Sequence, residues 1–224
     1  MTGSPTQSSE APTRAADAAP GAVPGTAVGS DGAAARVLLD DAGIRRSLVR
    51  IAHEIVERTG EPELLYLVAI PNGGIPLARR LANDLREIAD LVVPVGVLDT
   101  TLYRDDLLTT GERPALRRTE MPSAVDDHIV VLVDDVVKTG RTIRAAMDAL
   151  MDFGRPRAVQ VVGLIDRGHR ELPIKIDYVG KNLPTHPGEE VHLREVADGG
   201  GALEIIVTAA PGAAAPPSGG EGEP

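Results

Sequence analysis

The sequence predicts an α/β fold built on a mainly parallel sheet with helices on both faces, and three observations carry that reading. Between residues 64 and 165, apolar runs of strand length alternate with stretches of helical periodicity, the order that builds parallel sheets. Two of these runs, 64–70 (LLYLVAI) and 129–133 (IVVLV), are continuously apolar, as expected of strands covered on both sides. Each is followed within a few residues by a Gly-containing loop and a helix start, an arrangement that places backbone N–H groups beyond the strand end.

The elements follow in order. Asp40 and Asp41 can cap a helix running to about Arg58, because Ile44, Leu48, Ile51 and Ile55 fall on one face. Its other side carries Arg46, Arg50 and His53, with Arg58 nearby, and reads as a solvated face unless a second basic cluster lies beside it. Strand 64–70 ends in Pro71-Asn72-Gly73-Gly74, and a helix follows with Pro76 in its first turn and Leu77, Leu81, Leu85 and Ile88 inward. On these residues alone, an anion-binding loop and a plain β–α turn read equally well. Residues 92–98 predict a third strand, and Pro94 places it at an edge or bulge. The polar stretch 99–128 is too long and turn-rich for a simple connection. It predicts a lid, with Arg104, Asp105 and Asp106 after Tyr103 as the part that closes over a charged ligand and Arg113, Arg117 and Arg118 adding positive charge. Residues 158–165 form another buried strand followed by Asp166-Arg167-Gly168-His169-Arg170, and ligands of open α/β sheets sit off such strand ends. Short strands and loops are expected over 178–182, 190–195 and 202–207.

The stretch 129–150, IVVLVDDVVKTGRTIRAAMDAL, organises the rest. Ile143, Met147, Leu150 and Met151 recur at the spacing of one helical face after Thr139-Gly140-Arg141-Thr142. Those four residues offer backbone N–H groups and two hydroxyls at a helix N-terminus, where the helix dipole favours a phosphate. Asp134 and Asp135, expected to be exposed just before that cradle, are acceptors for sugar hydroxyls and for a hydrated Mg²⁺. A ribose diol carrying a 5′-phosphate fits the set.

Composition narrows the rest. Residues 1–35 hold four of the 18 prolines and five of the 24 glycines without apolar periodicity, and 208–224 read alike, so both are expected to be disordered tails around one domain at 36–207. The net charge is −10, the tails contributing −2 each and leaving −6 on the domain, so polyanion binding needs a local basic patch. Only Tyr66, Tyr103, Tyr178 and Phe153 are aromatic, which argues against base stacking as the main mode of recognition. Cysteine is absent, excluding disulfides and thiolate sites. No run approaches the eighteen or so apolar residues of a membrane span and no signal pattern opens the chain, so a cytoplasmic protein without membrane partners is expected.

The string Val130, Val131, Leu132, Val133, Asp134, Asp135, Val136, Val137, Lys138, Thr139, Gly140, Arg141, Thr142 resembles the phosphoribosyl pyrophosphate (PRPP) signature of type I phosphoribosyltransferases. With TLYRDDL at 101–107, DRGHRELPI at 166–174 and DYVGKNLP at 177–184, the region 38–207 resembles the PyrR family of pyrimidine operon regulators. The resemblance implies a type I phosphoribosyltransferase fold with a flexible hood at about 99–128. It implies Mg²⁺-PRPP and uracil as substrates, UMP and pyrophosphate as products, and uridine nucleotides (UMP or UTP) as effectors. It further implies that Asp134 and Asp135 hold the ribose hydroxyls and, through PRPP, the Mg²⁺. Lys138 to Thr142 would hold the 5′-phosphate, Arg104 would lie near the pyrophosphate, Asn72, Gly73 and Gly74 would form the pyrophosphate loop, and Ile165, Asp166 and Arg167 would receive the base. The partner it implies is a pyrimidine operon mRNA leader, bound by Arg46, Arg50, His53 and Arg58 together with His169, Arg170, Lys175 and Lys181. A homodimer or larger homo-oligomer is also expected.

The chain departs from that pattern where the family usually has Thr-Arg-Gly and this sequence has Asn72-Gly73-Gly74, so the loop lacks its cation. Lys138 stands where Tyr is more usual and Val49 where Thr is common. A binding-only nucleotide sensor is therefore carried as an alternative to the bifunctional reading, and so is a purine phosphoribosyltransferase, which shares the motif around Asp134–Thr142. An arginine at position 73 is expected to restore turnover if the loop has been silenced.

Overall fold

The computed structural model describes residues 27–28, 34–71, 73–105, 118–186, 188–197 and 200–209. Residues 27–28, 34–35 and 208–209 are strand, which corrects the expected disorder of 1–35 and 208–224; the rest of those tails, and the lid residues Asp106, Arg113 and Arg117, lie outside the described residues.

Five strands make a parallel sheet: β3 (Leu65–Ala69), β4 (Val95–Val97), β5 (Ile129–Val137), β6 (Ala158–Asp166) and β7 (Tyr178–Asn182), in the spatial order β4-β3-β5-β6-β7. The continuous apolar runs are explained by their two covered faces. Leu65, Leu67 and Ala69 of β3 and Val131 and Val133 of β5 pack with the helices α1 (Asp41–Arg58) and α2 (Gly74–Ala89). The alternate residues Tyr66, Val68, Val130 and Leu132 point the other way, against Ile143, Ala146, Ala149 and Leu150 of α3 (Arg141–Leu150).

The inward positions of α1 and α2 are those the periodicity marks, with Ile44, Leu48, Ile51 and Ile55, and Leu77, Leu81 and Leu85, all fully buried. Ile88, also read as inward, is only half-buried. The two acids before α1 divide their work. Asp40 caps the helix through the Gly43 N–H at 2.8 Å. Asp41 joins three elements instead, accepting from Arg80 on α2 at 2.7 Å and from the Leu203 N–H at 2.9 Å. Burial alone would push the Asp41 carboxyl up, but the Leu203 N–H, Arg80 and Arg45 together hold it at about 2.

Two boundaries differ from the sequence reading for physical reasons. β4 begins only after Pro94, which has no N–H to give and offers its carbonyl to the Leu67 N–H at 2.9 Å. β5 does not stop at Val133. It runs on to Val137, with Asp134 in register with Gly163 and Val136 with Ile165, so both acids lie inside the strand.

A second, antiparallel sheet, in the order β1-β2-β9-β8, is formed by β1 (Ala27–Val28), β2 (Ala34–Leu39), β8 (Glu189–Glu195) and β9 (Leu203–Ala209). Apolar periodicity marks neither β1 nor β2. Val191, Leu203, Ile205 and Val207 turn inward and join the cluster on the α1/α2 side. Within 99–128, the described residues form a 3-10 turn at Thr101–Tyr103 and a bridge of Glu120 to Val97. Among the described residues no helix is long and apolar enough to cross a membrane.

Candidate active site

Three adjacent strands, β3, β5 and β6, end side by side and deliver three loops to one edge of the sheet, where open α/β sheets place ligands. The loops are tied together by backbone bonds: Ile70 N–H to Val133 O at 3.0 Å, Arg167 N–H to Val137 O at 3.0 Å, and the Glu171 and Leu172 N–H groups to Thr139 O at 3.0 and 3.2 Å.

The acids at the centre are not equally exposed, which corrects the expectation that both face solvent. Asp134 is only 4 % exposed and takes the Asp135 N–H at 3.1 Å, while Asp135 is half-buried. Burial pushes the Asp134 carboxyl well above the usual carboxylate range, and the neighbouring Asp135 charge and side-chain hydrogen bond push the same way. The Asp135 N–H and the positive charge of Arg104 oppose them, so Arg104 of the lid stem acts electrostatically on Asp134.

Gly73 has a defined reason to be glycine. A Cβ there would lie 2.1 Å from Asp135 Cγ and 2.5 Å from Asp135 Cβ, so the Asp135 side chain occupies the space over the loop. A Cβ on Gly74 would meet Val133 O at 2.3 Å. Asn72 lies outside the described residues.

The cradle turns at Gly140, whose φ of +90° is left-handed and favours glycine, and α3 follows directly. Thr139 Oγ1 accepts the Arg141 N–H at 3.3 Å, and Thr142 is half-buried in the first turn. Of the remaining signature residues, Val130, Val131, Leu132, Val133 and Val137 are core, and Val136 packs against it. Their part is to hold the strand that aims the acids. Lys138 is exposed, its Nζ 3.8 Å from Glu190 of β8. Arg141 does not extend freely toward the cradle: its Nη1 is 2.6 Å from Asp105 and its Nε 2.7 Å from Glu171.

The trio read as base contacts has side chains engaged elsewhere. Ile165 is core, and Asp166 accepts from the Gly168 N–H at 2.8 Å and from Arg170 at 3.0 Å. Arg167 is 3 % exposed, donating to Thr185 Oγ1 at 3.0 Å, Glu189 O at 2.5 Å and Glu190 at 3.3 Å. An arginine so buried persists only with its donors satisfied. It fastens β8 to the end of β6, and only the position of residues 165–167 at that strand end supports the base reading. Sequence reasoning missed Glu171, Thr185 and Glu190, and no local pattern marks them.

The two basic clusters meet in part. α1 lies along β7, with the Arg50 guanidinium on Val179 O and Gly180 O at 2.9 and 2.7 Å, and Arg58 on Asp177 O at 2.9 Å and over the Tyr178 ring at 5.3 Å. Exposed Arg46, His53 and Lys181 therefore share that side of the molecule with them. His169, bonded to Thr185 O at 3.0 Å, Arg170, bonded to Lys138 O at 2.7 Å, and exposed Lys175 belong to the loop that leaves β6.

Among the described residues no group of three or more His, Asp or Glu converges as a metal cage. Two adjacent carboxylates fit a Mg²⁺ held chiefly by water and a ligand's own oxygens.

This fold, with a phosphate cradle after its central strand, defines a phosphoribosyltransferase-type protein, and residues 38–195 match the phosphoribosyl transferase domain family. Solved structures with the same fold include a hypoxanthine phosphoribosyltransferase from Staphylococcus aureus, with a TM-score of 0.53 and 21 % identity over 68 % of this chain and 80 % of that one. Another, from Trypanosoma cruzi, gives 0.55 and 23 % over 66 % and 81 %. Much nearer in sequence are the bifunctional protein PyrR of Pelotomaculum thermopropionicum, 57 % identical over 77 % of this chain and 96 % of that protein, and that of Streptomyces coelicolor, 54 % identical over 80 % and 92 %. The chain belongs to the PyrR family.

Proposed function

We propose that this chain transfers the phosphoribosyl group of PRPP to uracil, giving UMP and pyrophosphate, and binds pyrimidine operon mRNA in response to uridine nucleotides. The observation that carries the reading is the placing of the Asp134–Asp135 pair inside the end of β5 and of the cradle Thr139–Thr142 shortly after it, at the start of α3, in a member of the PyrR family. In this reading the acids hold the ribose hydroxyls, Thr139, Gly140, Arg141 and Thr142 surround the 5′-phosphate, and Arg104 faces the pyrophosphate. Uracil N1 attacks the anomeric carbon as its bond to the pyrophosphate oxygen breaks, and the N1 proton is lost. Catalysis is largely positioning plus charge stabilisation, with no covalent nucleophile. Bound Mg²⁺ would neutralise the departing pyrophosphate, and Asp134 and Asp135 are the residues that would hold it through PRPP. We place the protein in the cytoplasm as a homo-oligomer.

The test is UMP formation from Mg²⁺, PRPP and uracil by the purified protein. Turnover above background is expected. UMP binding without turnover would leave a nucleotide-sensing regulator, the reading favoured by the cation-free loop at Gly73. Hypoxanthine or guanine outcompeting uracil would replace the pyrimidine assignment with a purine one.

For RNA, Lys181→Ala is the cleaner probe, since its side chain has no partner among the described residues, whereas Arg50 also holds two β7 carbonyls. Lys181→Ala is expected to weaken leader binding about equally for all sequences and to lower the salt slope by about one. Unchanged affinity would move the RNA surface elsewhere.

A further inference from the structure

Asp105 and Glu171 are assigned no part in the function proposed above, yet both are engaged with the cradle. Asp105 ends the described stem of the lid, and Glu171 sits in the loop after β6. The two reach Arg141, the second residue after the start of the cradle, from opposite loops at 2.6 and 2.7 Å. Asp105 also lies 3.6 Å from Arg144, one helical turn further along. The stem is also held, by a hydrogen bond from the Tyr103 hydroxyl to Asp152, against the 3-10 turn Met151–Phe153 that follows that helix. The Glu171 N–H, bonded to Thr139 O, fixes the other loop directly on the cradle. The one guanidinium within the cradle therefore carries two carboxylates.

We propose that Asp105 and Glu171 form an electrostatic clasp on Arg141 that competes with the phosphate of incoming ligands, making them positioning residues that set the affinity of the cradle for phosphorylated compounds. The inference rests on the proposed nucleotide function. A phosphate dianion approaching Thr139–Thr142 meets two carboxylates before it can profit from the arginine, and either the clasp opens or the ligand binds against repulsion. All three side chains are between 40 % and 54 % exposed, so each pair is screened and the effect of each acid is moderate. The mutual pairing raises the Arg141 guanidinium further above its ordinary range, as expected of a cation held by acids.

The experiment measures the dissociation constants of UMP and PRPP, with inorganic phosphate as the minimal probe, for the wild type, Asp105→Asn, Glu171→Gln and the double variant. Asp148→Asn is the control, because it removes an equal charge from the same helix through Arg144 and does not touch Arg141. Each single clasp variant is expected to bind UMP about two- to fivefold more tightly, and the double variant about five- to twentyfold, in line with exposed ion pairs. The Michaelis constant for PRPP should fall with little change in kcat, and the affinity for uracil alone should not move. The Asp148→Asn control should change UMP binding by less than about twofold. Weaker or unchanged UMP binding in both clasp variants, or tightening equal to that of the control, overturns the clasp. If Asp105→Asn does not fold, Glu171→Gln decides alone. Absence of UMP binding in the wild type with binding in the double variant supports the clasp in a strong form. Absence in both overturns the clasp and the nucleotide reading together, whereas UMP binding that the variants leave unchanged overturns the clasp only.

Discussion

Asp134→Asn/Asp135→Asn should abolish PRPP turnover while leaving the fold as stable as the wild type or more so. Two hydrogen bonds from ribose hydroxyls to charged acceptors contribute about 1.5–3 kcal/mol each. Their loss lowers turnover between about a hundredfold and ten-thousandfold. Stability moves the other way because Asp134 is nearly fully buried beside another acid. Its folded-state carboxyl lies above the ordinary value of about 3.9, so the native protein holds a proton that the unfolded chain releases first. This group therefore lowers stability progressively as pH rises from about 4 toward its folded value, and its full cost is reached only above that value. Asn has the same shape and no charge to bury. Melting curves from pH 4 to 8 should show the variant gaining on the wild type toward neutral pH. A variant that unfolds at neutral pH would make these acids structural.

Gly73→Arg should not rescue activity, contrary to what the loop sequence alone suggests. Any side chain at position 73 begins with a Cβ, and that atom would fall inside Asp135. Rotating the Asp135 carboxyl away does not suffice, because the Asp135 Cβ itself is only 2.5 Å from the new atom and the backbone has to shift. Overpacking of this kind costs about 1–3 kcal/mol. Displacing Asp135 from its place beside Asp134 should lower turnover at least about tenfold, one charged hydrogen bond's worth. Gly73→Ala should show the same losses in a denaturant titration and in turnover, although it adds no charge. Gly73→Ala/Asp135→Gly should recover stability without recovering turnover. Raised turnover in Gly73→Arg would instead mean that Asp135 moves aside easily and that the missing cation limits the reaction.

The parallel half of the molecule was legible because its signals are local. A run such as 129–133, apolar at every residue, demands two covered faces, and the helical spacing of Ile44 to Ile55 demands a partner surface. The position of the acids was legible, but their environment was not. Asp134 and Asp135 read as the end of a strand because they are charged, and only the pairing with β6 shows that the strand continues through them. Of the second sheet, β8 and β9 were marked as short strands over 190–195 and 202–207, but β1, β2 and the antiparallel pairing were hidden. β8 carries Glu190, His192 and Arg194 between its inward residues, and β2 is six residues long with its partner far away in sequence. Arg167 shows the limit of assigning a role from a motif. Its place after β6 was read correctly, but the direction of its side chain depends on Thr185, Glu189 and Glu190, which no local pattern connects to it.

The second sheet also carries a consequence for how the protein is made. Arg36 pairs with Val207 and Val37 with Ile206, so the strand nearest the start of the domain waits for one nearest its end. Closing so long a loop costs entropy before any pairing energy is returned. During synthesis, the α1 and α2 residues that Leu203, Ile205 and Val207 cover remain open to water until the last part of the domain has left the ribosome. Arg167 and Lys138 likewise wait for Glu190 of β8. A nascent chain truncated before β9 would have its parallel sheet and its cradle sequence, yet expose the apolar surface that chaperones bind.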